Sequence, residues 1–280
     1  EYDWGFGMVL QALRNAGVDG VAAADWFALG RAALRHEADV DTYHCWPREK
    51  AQDGVYCGGH FTHTAHGVEA GDAGHRGAPT DKYWNTADWP WGRGGGPESG
   101  HFHTHGQWLL YYVTGDRRHR DSALERTACV EYKIGEDKFP QTENTGRDSG
   151  HTLQILTDAF AATGDAKYLH LAEKVLACAC FKKQWEEKLA KNPYAGDFSN
   201  SIYLRECARL LDALADHGQA PDAPLYRASQ ESLTSYLDVI LKLGWNGPEA
   251  GFAGQVRADG KRGDLKAVKR SNDSWNFIPT

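Results

Sequence analysis

Apolar helical stripes and polar turns alternate along this chain, and the alternation repeats. Between residues 166 and 181, Tyr168, Leu171, Ala172, Val175, Leu176 and Ala179 recur at spacings of three and four and predict one buried helix face. Between 202 and 214, Ile202, Leu204, Leu210, Leu211 and Leu214 do the same among Arg205, Glu206, Arg209 and Asp212. Thr114-Gly115-Asp116 and Thr163-Gly164-Asp165 lie 49 residues apart, and each follows an apolar helix and precedes an amphipathic one. The pattern predicts four helical hairpins, over about residues 5–38, 105–132, 150–190 and 200–243. The first turns at Asn15-Ala16-Gly17 and the fourth at Asp216-His217-Gly218. Gly115 and Gly164 read as helix-ending glycines, and Asn200-Ser201 reads as an N-cap region. No comparable strand pattern precedes residue 250, and the tail 251–280 reads as an extended arm or a short hairpin. The expected fold is mainly all-α, with antiparallel hairpins in one domain over 1–245 and an irregular or β tail over 246–280.

Short turns between antiparallel helices put the first helix of every hairpin at the same end. Those starts are Asp3-Trp4, His101 to His105, Arg147 to His151 and Phe198 to Ser201. The long connections 39–100, 133–148 and 191–199 fall at that end too, which is where function concentrates on a helical scaffold. A helix N-terminus offers unpaired N–H groups and a partial positive charge that hold an anion. The same field disfavours imidazolium, so a histidine placed there stays neutral, as a base must. His101, His103 and His105 therefore read as proton-transfer and anion-binding candidates. At the next start, Arg147 can grip a carboxylate in bidentate fashion beside His151; alternatively Arg147 pairs with Asp148, or Asp148 caps the helix.

Segment 39–100 is too long for an incidental connector. It carries His44, His60, His63, His66 and His75, then Tyr83, Trp84, Trp89, Trp91 and Arg93. Trp89-Pro90-Trp91 reads either as a stacking platform for a sugar ring or as a pin holding the loop to the helices. A metal site is the alternative for the histidines: extended His101 to His105 puts three rings on one face, and Cys57 or His63 completes a zinc sphere. The corresponding ligand set is His63, His103 and His105, with zinc or calcium as the ion. His119, His170 and His217 read as surface or structural residues, and His36 complements a helix dipole.

Composition narrows the partners. The chain has 280 residues, of which 41% are hydrophobic and 25% charged, and no apolar run approaches the span of a bilayer. Net charge is −7 with no Lys/Arg block, so neither nucleic acid nor membrane is an expected partner. Of the six cysteines, Cys129, Cys178, Cys180 and Cys207 sit in helical patterns as small hydrophobes. Cys45 and Cys57 share a loop and can pair or bind metal.

The hairpins with Thr-Gly-Asp turns and Trp- and His-rich loops look like the α/α-toroid polysaccharide lyases and six-hairpin glycosidases. The combination of Gly59-His60-Phe61-Thr62-His63-Thr64-Ala65-His66, His75-Arg76, Gly94-Gly95-Gly96-Pro97 and His101 to Asp116 resembles the helical domain of rhamnogalacturonan exolyase-like proteins, over roughly residues 1–245. About four hairpins stand where a full toroid has six, so the resemblance implies an incomplete (α/α) toroid. It also implies β-elimination at a uronic acid in a pectin- or rhamnogalacturonan-like glycan, without an organic cofactor. A base removes the C5 proton, a donor neutralises the C6 carboxylate and an acid protonates O4. The assignments that follow are His105 or His103 as base, Arg147 with His151 on the carboxylate, and Tyr43 or Tyr83 as acid. His60, His63, Trp89, Trp91, Arg93, His101, Asn144 and Asn200 then bind an acidic oligo- or polysaccharide. The substrate class favours a secreted or periplasmic location. Two alternatives remain: a six-hairpin glycoside hydrolase using carboxyls such as Glu98, Asp148 and Asp3, and a non-catalytic glycan-binding domain.

Overall fold

The structure is a computed structural model. It describes residues 3–18, 22–45, 57–61, 97–98, 103–135, 146–179, 194–195, 198–239, 241–242 and 256–257. The described residues are mostly helical, in keeping with the all-α expectation. The chain divides into two compact units, Glu1–Phe139 and Pro140–Thr280. The first holds α1 (Trp4–Arg14), α2 (Ala23–Asp39), α3 (His105–Thr114) and α4 (Arg117–Gly135). The second holds α5 (Arg147–Thr163), α6 (Lys167–Cys178), α7 (Phe198–Asp216) and α8 (Pro224–Val239). The expected boundary between 245 and 246 falls outside the described residues, as does most of the tail.

In the first unit α1 packs on α2 and α3, and α4 packs on α2 and α3. Val9, Leu34 and Leu110 close its core, with Phe27 and Leu109 packed against them. In the second, α5 packs on α6 and α7, and α8 packs on α7 and α6. The predicted face of α6 is the buried one: Tyr168, Ala172, Val175 and Leu176 all lie inside.

The two Thr-Gly-Asp turns share one geometry. Thr114 and Thr163 each donate a hydroxyl to the carbonyl four residues back, at 2.6 Å. Gly115 (φ 72°) and Gly164 (φ 70°) then take the left-handed conformation that ends the helix. Asp116 and Asp165 each accept the N–H two residues on, at 3.0 Å, which satisfies a backbone donor at the start of the next helix. That backbone N–H, from Arg118, is the main reason the Asp116 carboxyl lies below its ordinary pKa.

Two sequence expectations need correction. α7 begins at Phe198, so Asn200 and Ser201 lie inside the helix rather than capping it. Strands also occur before residue 250. β1 (His60–Phe61) pairs antiparallel with β2 (Pro97–Glu98), and β3 (Tyr194–Ala195) with β4 (Val256–Arg257). Two-residue strands are too short to show alternation, and only the tertiary pairing reveals them.

A close approach and an ion-pair cluster set the α5–α7 contact. A Cβ on Gly150 would come within 2.9 Å of the Tyr203 backbone nitrogen and 3.0 Å of its Cα. Backbone cannot move aside as a side chain can, so Gly150→Ala must push the helices apart. Overpacking costs about 1–3 kcal/mol, against ~0.5–1 kcal/mol gained in helix propensity. The expected result is a net loss of stability, seen as a lower thermal midpoint. Nearby, Arg209 on α7 donates to Asp158 on α5 and to Glu206, both at 2.9 Å. Burial opposes the Arg209 charge, but the two carboxylates outweigh it and hold its pKa above the ordinary value. Glu206 sits on the polar stripe of the sequence yet is 0% exposed, because Arg205 and Arg209 both pair with it.

Candidate functional site

Two helix starts meet in the first unit, at a carboxylate and an imidazole. Asp3 caps α1: its Oδ1 accepts the Phe6 N–H at 3.3 Å. Its Oδ2 accepts the Gly106 N–H, from the first turn of α3, at 3.1 Å. Gly106 is required for that approach, since a Cβ there would collide with the Leu34 side chain and sit 2.6 Å from Asp3 Oδ1. Asp3 takes φ 52°, the only positive φ of a described residue other than glycine. Aspartate tolerates this conformation better than most residues, and such outliers concentrate at functional sites.

His105, the first residue of α3, brings Nδ1 to 3.8 Å from Asp3 Oδ2. That is ion-pair distance, beyond hydrogen-bond length. The His105 and Asp3 side chains are 11% and 6% exposed, and the Phe6 ring lies against the imidazole with centroids 5.3 Å apart. A carboxylate on the Nδ1 side favours the Nδ1–H tautomer, whose basic nitrogen is Nε2. Next to Asp3 in the chain, Trp4 is 67% exposed.

The base of the long connection docks on α2 and α4. Tyr43 donates its N–H to the Gly59 carbonyl at 2.8 Å and accepts the Gly58 N–H at 2.9 Å. Cys45 and Cys57 form a disulfide across this ladder, with Cα atoms 5.3 Å apart. Thr42 bridges to His60, which pairs with Glu98 in the β1–β2 ladder. Gly58 (φ 80°) rests directly on the Glu125 backbone carbonyl of α4, leaving no space for a Cβ.

Beneath lies a buried polar network. Arg126, 0% exposed, donates to the Glu37 carboxylate at 2.6 Å and the His103 carbonyl at 2.7 Å. It also donates to the Glu37 carbonyl and the Thr42 hydroxyl, both at 3.1 Å. Gln107 donates to Glu37 Oε2 at 3.0 Å and to the Leu34 carbonyl at 2.9 Å. The Gln107 amide oxygen thus faces His119 Nδ1 at 2.7 Å, and Nδ1 is the donor.

His119 is therefore structural but not a surface residue: it is 0% exposed. Burial is the main cause that pushes its pKa below the ordinary histidine value, so the folded protein keeps it neutral. The unfolded chain binds a proton there below about pH 6.5. Stability from this group is thus present above that pH and is lost as pH falls toward the lower folded pKa. His119→Asn keeps a donor at the Nδ1 position and cannot titrate. Urea midpoints against pH should fall less steeply in the variant over the acid range, and equal slopes would exclude His119 as the titrating group.

The predicted site residues fall into three groups. His103, His105, His60 and Tyr43 belong to the first unit. His103 is buried, with its carbonyl on Arg126, and Tyr43 is half-buried. Arg147 and His151 belong to the second unit; Arg147 opens α5 half-buried, and His151 is buried one turn later. His63, Trp89, Trp91, Arg93, His101 and Asn144, with Tyr83, lie outside the described residues; Asn200 lies in α7, its side chain undescribed. Of the alternative metal set, His103 and His105 are described and His63 is not, while Cys57 is taken up by the disulfide.

Sequence reasoning missed Glu37, Gln107 and Arg126. Glu37 and Arg126 sit on helical stretches where charge reads as solvated surface, and Gln107 opens an apolar run, so nothing local marks them. No family model, curated protein or solved structure matches the chain.

Proposed function

We propose that the protein is a polysaccharide lyase that cleaves a uronic-acid glycan of pectin or rhamnogalacturonan type by β-elimination, on helical hairpins of an incomplete (α/α) toroid. The observation that carries this reading is the Asp3–His105 pair at two helix starts. Elimination needs a neutral base at the C5 proton. The positive end of α3 disfavours imidazolium at His105, while Asp3 orients the ring and stabilises the imidazolium that forms on reaction. His105 Nε2 takes the C5 proton, the C5–H electron pair becomes the C4–C5 double bond, and the C4–O4 bond breaks. Tyr43 is the candidate acid that protonates O4.

Exposed Trp4, beside Asp3, supports a sugar-stacking surface at this end. The Cys45–Cys57 disulfide supports a secreted or periplasmic location. The substrate partner is an acidic oligo- or polysaccharide, and among the described residues no helix is long and apolar enough to cross a membrane.

The test is incubation with pectin, rhamnogalacturonan, alginate and glycosaminoglycans. The expected result is a rise in near-UV absorbance from the new double bond, together with new reducing ends. New reducing ends without absorbance would replace elimination by hydrolysis. Binding without either product would leave a glycan-binding domain.

A further inference from the structure

We propose that His44 and Glu125 form a proton-dependent clasp that fastens the base of the long 39–100 connection to α2 and α4. His44 Nε2 lies 2.8 Å from the Ala38 carbonyl, and Nδ1 lies 2.8 Å from Glu125 Oε2. A carbonyl only accepts, so Nε2 carries a hydrogen. In the neutral ring Nδ1 would then present a lone pair to a carboxylate oxygen, which repels it. The observed geometry needs one more proton on the pair, shared across the Nδ1–Glu125 contact. The clasp is complete while that proton is bound and loses its Glu125 half when the proton leaves.

The groove around the contact carries charges of both signs. Ala38 is in the last turn of α2, where carbonyls carry partial negative charge. Asp39 from the end of α2 and Asp121 from α4 line the same groove, of about 590 Å³. Arg118 from α4 opposes them but is paired with Asp39 at 3.1 Å, and Asp121 is paired with Arg120 at 2.7 Å. His44 is 46% exposed on its side chain, so protons exchange with solvent. Asp39 is thus held by Arg118 and Asp121 by Arg120, beside the His44–Glu125 contact.

Position makes the contact consequential. His44 lies between Tyr43, which bonds Gly58 and Gly59, and Cys45, which is bonded to Cys57. Gly58 rests on the backbone of the same Glu125 whose side chain holds His44. Glu125 is thus the docking point of the connection from both sides.

Amide hydrogen exchange of the full chain tests this between about pH 5 and pH 8, with rates corrected for intrinsic chemistry, where imidazole titrates. In the wild type, the Tyr43 and Gly58 amides should lose protection on the same pH curve as the His44 ring signal in nitrogen-15 spectra. Glu125→Gln is the deciding variant. Its amide group donates to a neutral Nδ1, so protection should become independent of pH. His44→Ala should lose the protection at both ends of the range. Ring titration with unchanged amide protection, or a Glu125→Gln profile that follows the wild type, would overturn the clasp. The readout needs no substrate, so it stands or falls apart from the lyase reading.

Discussion

Arg126→Ala is expected to destabilise the first unit by about 3–5 kcal/mol, the range for removing one partner of a buried ion pair. That is a large share of the ~5–15 kcal/mol by which domains are stable. Four acceptors meet this one guanidinium: the Glu37 carboxylate and carbonyl, the His103 carbonyl and the Thr42 hydroxyl. Without it the Glu37 carboxylate keeps the Gln107 amide at 3.0 Å, and the buried His103 carbonyl loses its donor. Unsatisfied buried groups carry their whole desolvation penalty, which makes this loss exceed that of a surface pair. Arg126→Lys keeps the charge, but one ammonium cannot reach acceptors that lie on both sides of the fork, so it should recover only part of the stability. Urea unfolding followed by tryptophan fluorescence measures both. A loss below about 1 kcal/mol, ordinary for a point mutant, would show that the network contributes no net stability.

The second large effect concerns activity. His105→Ala should lower kcat/KM on a responsive uronate glycan by roughly 10²–10⁴-fold, the contribution of a positioned general base. Substrate affinity should change little, because a general base acts on the proton moving in the transition state and not on ground-state binding. Asp3→Asn should fall between wild type and His105→Ala. Its amide oxygen can still cap α1, but the charge that favours the reactive imidazolium is gone. An unchanged kcat in His105→Ala would remove His105 as the base, and a loss confined to KM would make it a binding residue.

How much of this was legible in the chain varies by residue. The Thr-Gly-Asp turns were readable because each depends on its own few residues: a helix-ending threonine, a left-handed glycine and an aspartate that accepts a backbone N–H at the next helix start. The buried face of α6 was readable from its spacing. His105 was readable as a helix start, and Asp3-Trp4 as another. That these starts share one end was readable too, but the Asp3–His105 contact was not, because 102 positions separate them and only packing at Gly106 brings Asp3 to the α3 backbone. Asn200-Ser201 looked like a cap by residue type, but α7 runs through it from Phe198. His119 was readable as surface or structural, and only the tertiary structure, which turns its helix face inward onto Gln107, decided for the second.

The sequence by itself determined the helical class, the turns that join its hairpins and which residue types stand at the helix starts. These are local: they follow from backbone preferences, capping chemistry and a period of about 3.6 residues. The tertiary structure decided which polar groups are buried together. Arg126 with Glu37, Asp3 with His105, His44 with Glu125 and Cys45 with Cys57 are contacts of side chains brought together by packing. A charge on a helix carries no mark of whether its face meets water or another helix. That is settled only when the neighbouring helix arrives with the partner that makes burial affordable.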